Sequence, residues 1–303
     1  VKDLPGSVAP RTRHRLRHVV PAIIVVLVAS FAVPPALAAD APADRELQVV
    51  GGAAVPDGKY PFMVSLQHPN IGSLRGHFCG GTLIDADSVL TAAHCAEIIG
   101  RETVPGSVVS YRDVRLVVGA TVLNSSQGRT RRIARLSHVS IHPLYNGNRD
   151  SAYDAAVIRL NRPVGSIPPV MLDAAGSDRF ERPGRRLTVA GWGVTRFGAS
   201  RIPNRMREAS PPVVSDSRCR LAYAGIGDPA QRVYPRLMVC AGKARLDTCQ
   251  GDSGGPLFAA VRGGFRQVGI TSFGYECGTP GFPGVYTEIS APSIRGFIRK
   301  AAG

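Results

Sequence analysis

From residue 49 onward the chain consists of short apolar runs cut by Gly, Pro and Asn: PFMVSL, GGTLI, SVLTAA, VRLVVG, DAAVIRL, RLTVAGWG, QVGITSFG and GVYTEI. Runs of this length with little helical periodicity predict strands, and strands at this spacing predict an all-β sandwich or barrel. The end of the chain is different. APSIRGFIRKAAG sets Ile294, Phe297 and Ile298 at helical spacing with Ser293 available as a cap, which predicts a short C-terminal helix. A chain of 303 residues can bury one large core or two moderate ones, and the loop-rich stretch 165–184 is long enough to cross between two halves.

The first 48 residues read as an export leader. Arg11 to His18 is a basic segment, residues 19–33 are apolar, and Ala36-Leu37-Ala38 forms a small-residue cleavage site. With Pro21 inside it, an apolar run of this length is short for a membrane span, so residues 1–38 are expected to be a signal peptide and not a stable anchor. The protein is therefore expected to be secreted into an extracellular, oxidising compartment. Six cysteines, none in a Cys-x-x-Cys, are there more naturally disulfides than metal ligands. Six allow fifteen pairings, of which Cys79–Cys95, Cys219–Cys240 and Cys249–Cys277 close the shortest loops and are taken as the expectation.

The formal charge of +15 comes almost wholly from arginine, since only four of the 37 basic residues are lysines. The basic residues are scattered. Their denser groups at 11–17, 128–135 and 182–187 have no aromatic residues interleaved for base stacking, so a solvated surface is expected and no nucleic-acid partner.

Chemistry concentrates in ARLDTCQGDSGGPLF, residues 244–258. Ser253 sits on a glycine-rich turn that lets a substrate carbonyl approach and N–H groups converge, which suits an acyl-transfer nucleophile. Its neighbour Asp252 cannot be its base, because adjacent side chains point apart. Among the histidines, His94 in LTAAHCAE is held at the end of an apolar run beside Cys95, as a general base must be held. His68, His138 and His142 read as surface residues, and His77 before FCGG is harder to dismiss. Asp154 in YDAAVIRL heads an apolar strand, where a buried carboxylate needs a partner such as an imidazole N–H, whereas Asp150 reads as a turn residue.

These pieces carry a resemblance. VVGG (49–52), PFMVSL, FCGGTLI, LTAAHC, YDAAVIRL, GWG (191–193), CQGDSGGPL, ITSFG and PGVYTEI run in the order found in the chymotrypsin family of serine proteases, and the chain is similar to its trypsin-type members. The resemblance implies two six-stranded antiparallel β-barrels with a cleft between them, and its usual disulfides agree with the pairing above. It divides the chain into a propeptide at 39–48, an N-terminal half at 49–165 with His94 and Asp154, and a C-terminal half at 166–303 with Ser253. It also implies roles. Ser253 would attack the scissile carbonyl, His94 would relay its proton, and Asp154 would orient the imidazole. The N–H groups of Gly251 and Ser253 would form the oxyanion hole, and Ser272 would hold Asp154 and begin the wall against which substrate pairs. No metal or other cofactor is implied.

The two carboxylates flanking Ser253 then separate. Asp247 resembles the base of the primary specificity pocket, with Gly274 and Gly284 leaving its walls open, which implies protein or peptide substrates with Arg or Lys at the residue before the cut (P1). Asp252 resembles the acceptor of a new N-terminal ammonium on Val49, and Ser65, His77 and Asp252 match a set that holds this aspartate away in some precursors. A monomer open to protein inhibitors is expected. Three departures stand out. Residues 116–137 contain no Asp or Glu, so no calcium is expected there; Phe273 replaces a common tryptophan; and Glu276 replaces a small residue at the pocket mouth.

Overall fold

The computed structural model describes residues 52–68, 71–99, 102–104, 107–108, 114–124 and 132–303. The expected signal peptide at 1–38, the expected propeptide at 39–48 and Val49 lie outside the described residues.

Six strands close the first barrel. Met63–Gln67 pairs with His77–Leu83, and the ring continues through Ser88–Thr91, Ala156–Leu160, Arg132–Ile141 and Arg115–Val118 back to the first strand, with every pairing antiparallel. The two-residue period of the sequence shows best in Arg132–Ile141, where Ala134 and Leu136 are buried between exposed neighbours. Leu66, Leu83, Leu90, Leu116 and Ile158 fill the interior with no exposed surface. Each such side chain stabilises the fold by roughly 1.5–3 kcal/mol.

The second barrel is built from Thr188–Gly191, Pro256–Val261, Gly264–Phe273, Gly284–Glu288 and Met238–Ala241, and a broken strand completes it. Arg207–Ala209 pairs with Thr188–Gly191, and Val213–Val214 pairs with Met238–Ala241. Between them lie Pro211 and Pro212, which have no N–H to offer a ladder. The carbonyls still pair. Leu187 N donates to Pro211 O at 3.1 Å, Gly242 N to Pro212 O at 3.0 Å, Gly184 N to Val213 O at 2.8 Å and Val213 N to Arg185 O at 2.8 Å, so the ring closes past the prolines. Both barrels of the all-β expectation are thus present. Stretch 165–184 joins them, with Met171–Leu172 laid parallel on Gly264–Phe273.

The three disulfides are Cys79–Cys95, Cys219–Cys240 and Cys249–Cys277, the expected nearest-neighbour set. Loops of this size give each a stabilisation of about 3 kcal/mol.

Two expectations are corrected, and one element went unforeseen. The C-terminal helix Pro292–Ala302 forms and buries Ile294 and Ile298, but its cap position is Ala291 with Pro292 in the first turn, so Ser293 lies inside the helix and caps nothing. His142 is buried, stacked on Tyr153 at 4.8 Å and edge-on to Phe297 at 4.9 Å, and is no surface residue. A second helix, Asp216–Ala224, escaped the periodicity argument because it buries only Cys219 and Tyr223.

Candidate active site

The barrels meet where the candidate residues converge. Gly80 of the first barrel lies against Gly255 of the second so closely that a Cβ on it would stand 3.1 Å from Gly255 Cα. At the same point Gly80 N donates to Ser253 O at 2.7 Å. Gly254, with φ +76°, lies under Thr91 and Ala92, where a Cβ would come within 2.6 Å of Gly80 O. Glycine is required there on both counts. The turn that carries Ser253 is thereby pressed onto the strand end that leads into His94.

His94 lies in the six-residue helix Ala93–Ile98, and the disulfide from Cys95 ties this helix to the strand holding Gly80. Its Nδ1 donates to Asp154 Oδ2 at 2.8 Å, and its backbone N donates to Oδ1 at 2.9 Å. Ser272 Oγ donates to the same Oδ2 at 2.6 Å, and Thr287 Oγ1 donates to Asp154 O at 2.9 Å. Every oxygen of Asp154 is therefore engaged. Since Nδ1 carries the proton, Nε2 of the neutral ring keeps its lone pair.

The backbone just before Asp154 is unusual. Tyr153 has φ +61°, a left-handed conformation that a side chain adopts at a cost of roughly 1–3 kcal/mol. Stacking of its ring on His142 and the bond from His142 N to Ala155 O at 3.0 Å hold it there. Asp154 is turned toward His94 as a result, and the strand proper begins at Ala156.

Electrostatics follow the geometry. Burial opposes a charge on either partner, yet the neighbouring carboxylate, with help from Glu97, raises His94 above its ordinary pKa. Burial likewise pushes Asp154 up, and the charge and hydrogen bonds of His94 together with Ser272 outweigh it, so Asp154 lies below the usual carboxylate range.

Ser253 Oγ makes no hydrogen bond among the described residues, and the N–H groups of Gly251 and Ser253 likewise donate to nothing there. These are two unused donors, two residues apart, on a turn where Gly251 has φ +97°. Ser253 lines a cavity of about 160 Å³ together with Ser272, Gly274 and Thr248.

Asp247 does not itself line that cavity but immediately precedes Thr248, which does, and is 2% exposed. Its oxygens accept from Thr248 N at 2.8 Å and Gly278 N at 3.2 Å. A Cβ on Gly284 would lie 2.5 Å from Oδ1, and one on Gly274 would lie 3.8 Å from Oδ2, so both glycines border the carboxylate. Burial pushes its pKa up to about 7, although the two N–H donors oppose this.

Asp252 accepts from Gly193 N at 2.8 Å and Cys249 N at 3.0 Å, and burial raises it to about 6. A Cβ on Gly191 or Gly193 would collide with its carboxylate. The holding set expected from the sequence is present only in part. Ser65 Oγ meets His77 Nδ1 at 2.7 Å, but His77 Nε2 donates to Gly251 O at 2.9 Å and not to Asp252. Since that carbonyl accepts only, Nδ1 is the acceptor and Ser65 the donor, in keeping with burial lowering His77 to about 4. Gly191 and Gly193, quoted in GWG, gave a signal whose purpose was not legible: clearance for Asp252.

Among the described residues the one grouping of metal-type ligands is Cys79, His94 and Cys95. Both sulfurs belong to one disulfide, which leaves no thiolate to bind an ion.

A two-barrel fold with an Asp–His pair and a serine in the cleft defines the class of serine endopeptidases. Residues 49–295 match the trypsin family, and the chain belongs to it. It is 34% identical to a trypsin of Saccharopolyspora erythraea over 80% of this chain and 94% of that protein. It is 36% identical to a trypsin-like protease of Streptomyces glaucescens over 81% and 80%. A third relative, trypsin epsilon of Drosophila erecta, is 34% identical over 80% and 84%. The protein is a trypsin-like serine protease that acts on protein or peptide substrates.

Proposed function

We propose that this protease is exported as a precursor and, once cut before Val49, cleaves peptide bonds after Arg or Lys. Ser253 Oγ attacks the scissile carbonyl while His94 Nε2 takes its proton, and the oxyanion gathers the N–H groups of Gly251 and Ser253. Collapse of this intermediate expels the amine, which His94 protonates, and a water repeats the sequence to free the acyl group. Asp154, held by Ser272, keeps the proton on Nδ1 throughout.

One observation supports the Arg/Lys preference above all others. A carboxylate 2% exposed, bordered by Gly284 and by Gly274 of the cavity lining, has no ion pair among the described residues. A long basic side chain entering past Gly274 and Gly284 would supply it, and a shorter neutral one would leave the charge buried and unpaired. Among the described residues no helix is long and apolar enough to cross a membrane, and the leader reading supports export. The divisions at residues 38, 48 and 165, a monomeric state and susceptibility to protein inhibitors belong to the same reading.

A panel of peptide amides differing only at P1 tests it. Arg and Lys should exceed Phe and Ala by at least about 100-fold in kcat/KM. Ser253→Ala should abolish turnover. Preference for Phe or Ala would overturn the specificity, and an intact wild-type protein without activity after cleavage before Val49 would favour a binding protein on the same fold.

A further inference from the structure

The cleft holds a second carboxylate. Glu276 lines the same cavity as Ser253 and Gly274, yet it is exposed where Asp247 is buried. Its backbone has φ +50°, in the left-handed region that favours glycine, so the side chain is carried at this position against the local preference. Two features fix it there. The next residue, Cys277, is tied to Cys249 in the wall of the cavity, and Thr279 Oγ1 donates to Glu276 Oε2 at 3.3 Å. Glu276 has no ion pair among the described residues, although the chain carries a formal charge of +15.

Phe197 lines the cavity as well and is 55% exposed. A carboxylate and an aromatic ring bordering one opening suit a guanidinium, which pairs with the first and stacks on the second. The floor charge is out of reach of any side chain but the one that fills the pocket. A second basic side chain on the same substrate would meet the rim instead.

We propose that Glu276 is a specificity-determining residue which, with Phe197, selects substrates carrying a second basic residue, preferably Arg, close to the cleavage site. The enzyme is then suited to paired basic sequences and not merely to single ones. This rests on the Arg/Lys reading of Asp247, and the test separates the two.

Peptides with Arg fixed at P1 and Arg, Gln or Glu at each of P3, P2, P1′ and P2′ are compared on wild type, Glu276→Gln and Glu276→Arg. Active enzyme is counted in each by titration with a covalent serine reagent. At one position or more, Arg should raise kcat/KM about five-fold over Gln in wild type at low salt, and the gain should shrink as salt rises. It should vanish in Glu276→Gln and turn to a preference for Glu in Glu276→Arg. The ratio of Arg to Ala at P1 should be alike in all three proteins. No gain in wild type, or a gain that survives in Glu276→Gln, overturns the role of Glu276 alone. A wild type with no preference for Arg or Lys at P1 overturns the underlying reading and this one with it.

Discussion

Gly284 and Asp247 are in a contact that only glycine permits: a Cβ at residue 284 would stand 2.5 Å from Asp247 Oδ1 and 3.0 Å from Tyr286 Oη. The absence of one methyl group leaves room for the carboxylate oxygen, and a Cβ there would press directly on it. Gly284→Ala should therefore lower kcat/KM for Arg substrates by about 10- to 100-fold, the range set by overpacking a filled site. Labelling of Ser253 by a small reagent that does not enter the pocket should persist. Unchanged cleavage after Arg would mean that the basic side chain does not reach Asp247.

If Asp247 receives a substrate cation as proposed, its raised pKa should make that binding pH-dependent. Empty, the buried carboxyl titrates at about 7, and a bound cation would lower that value by favouring the ionised form. Binding of a small amidinium inhibitor should thus release protons and tighten as pH rises from 5 to 8, by up to about tenfold per pH unit below 7. Calorimetry in buffers of different ionisation enthalpy measures the protons directly. Affinity that is flat over this range would contradict the linkage.

Most of the candidate site was legible in the sequence because its parts are local motifs: LTAAHC, YDAAVIRL and CQGDSGGPL each carry one functional group with its own backbone support. What links them across the fold was less legible. Thr287, which donates to Asp154 O, and the N–H groups of Gly193 and Gly278, which hold Asp252 and Asp247, are distant in sequence and ordinary in type. The helix Asp216–Ala224 was missed because two buried residues make no visible period. At Pro211 and Pro212, which have no N–H, the ring closes through carbonyls, which composition does not reveal. His142 looked exposed because a proline follows it, whereas its burial depends on Phe297 in the last helix.

Control of activity should reside in residue 48. A protease selective for Arg or Lys cleaves poorly after Gln48, and a cut after Arg45 would leave Glu46-Leu47-Gln48 ahead of Val49. The precursor should stay nearly inactive alone, and Gln48→Arg should activate itself after a lag. Asp252→Asn should remain inactive even when cut, because the new ammonium would then have no buried carboxylate to meet. N-terminal sequencing decides the matter, and full activity in a form beginning at Glu46 would contradict the roles of Val49 and Asp252.

Glu181 should govern part of the pH dependence of stability. Burial, then the charges of Glu288, Asp173 and Asp216, push it up to about 8 against the opposing hydrogen bond from Ser290. Ser290 Oγ contacts both Glu181 and Glu288 and has one hydrogen to give, so a proton on a carboxyl completes the set. The folded chain therefore keeps a proton that the unfolded chain releases from about 4.5. Its stabilising effect is whole below that pH and is lost as pH rises toward 8. Glu181→Gln should match wild type in Tm near pH 4.5 and exceed it by about 2–4 °C near pH 8. A difference independent of pH would rule out this titration.

If His94 and Asp154 activate Ser253 as proposed, covalent labelling by a phosphofluoridate reports it through both its rate and its position. The protein beginning at Val49 should gain one phosphoryl group per chain with loss of fluoride, and peptide mapping should place it on Ser253 and on no other serine. In His94→Ala the labelling rate should fall by about 10³-fold or more. Modification of another residue, or labelling of Ser253 at an undiminished rate without His94, would contradict activation of Ser253 by His94 and Asp154.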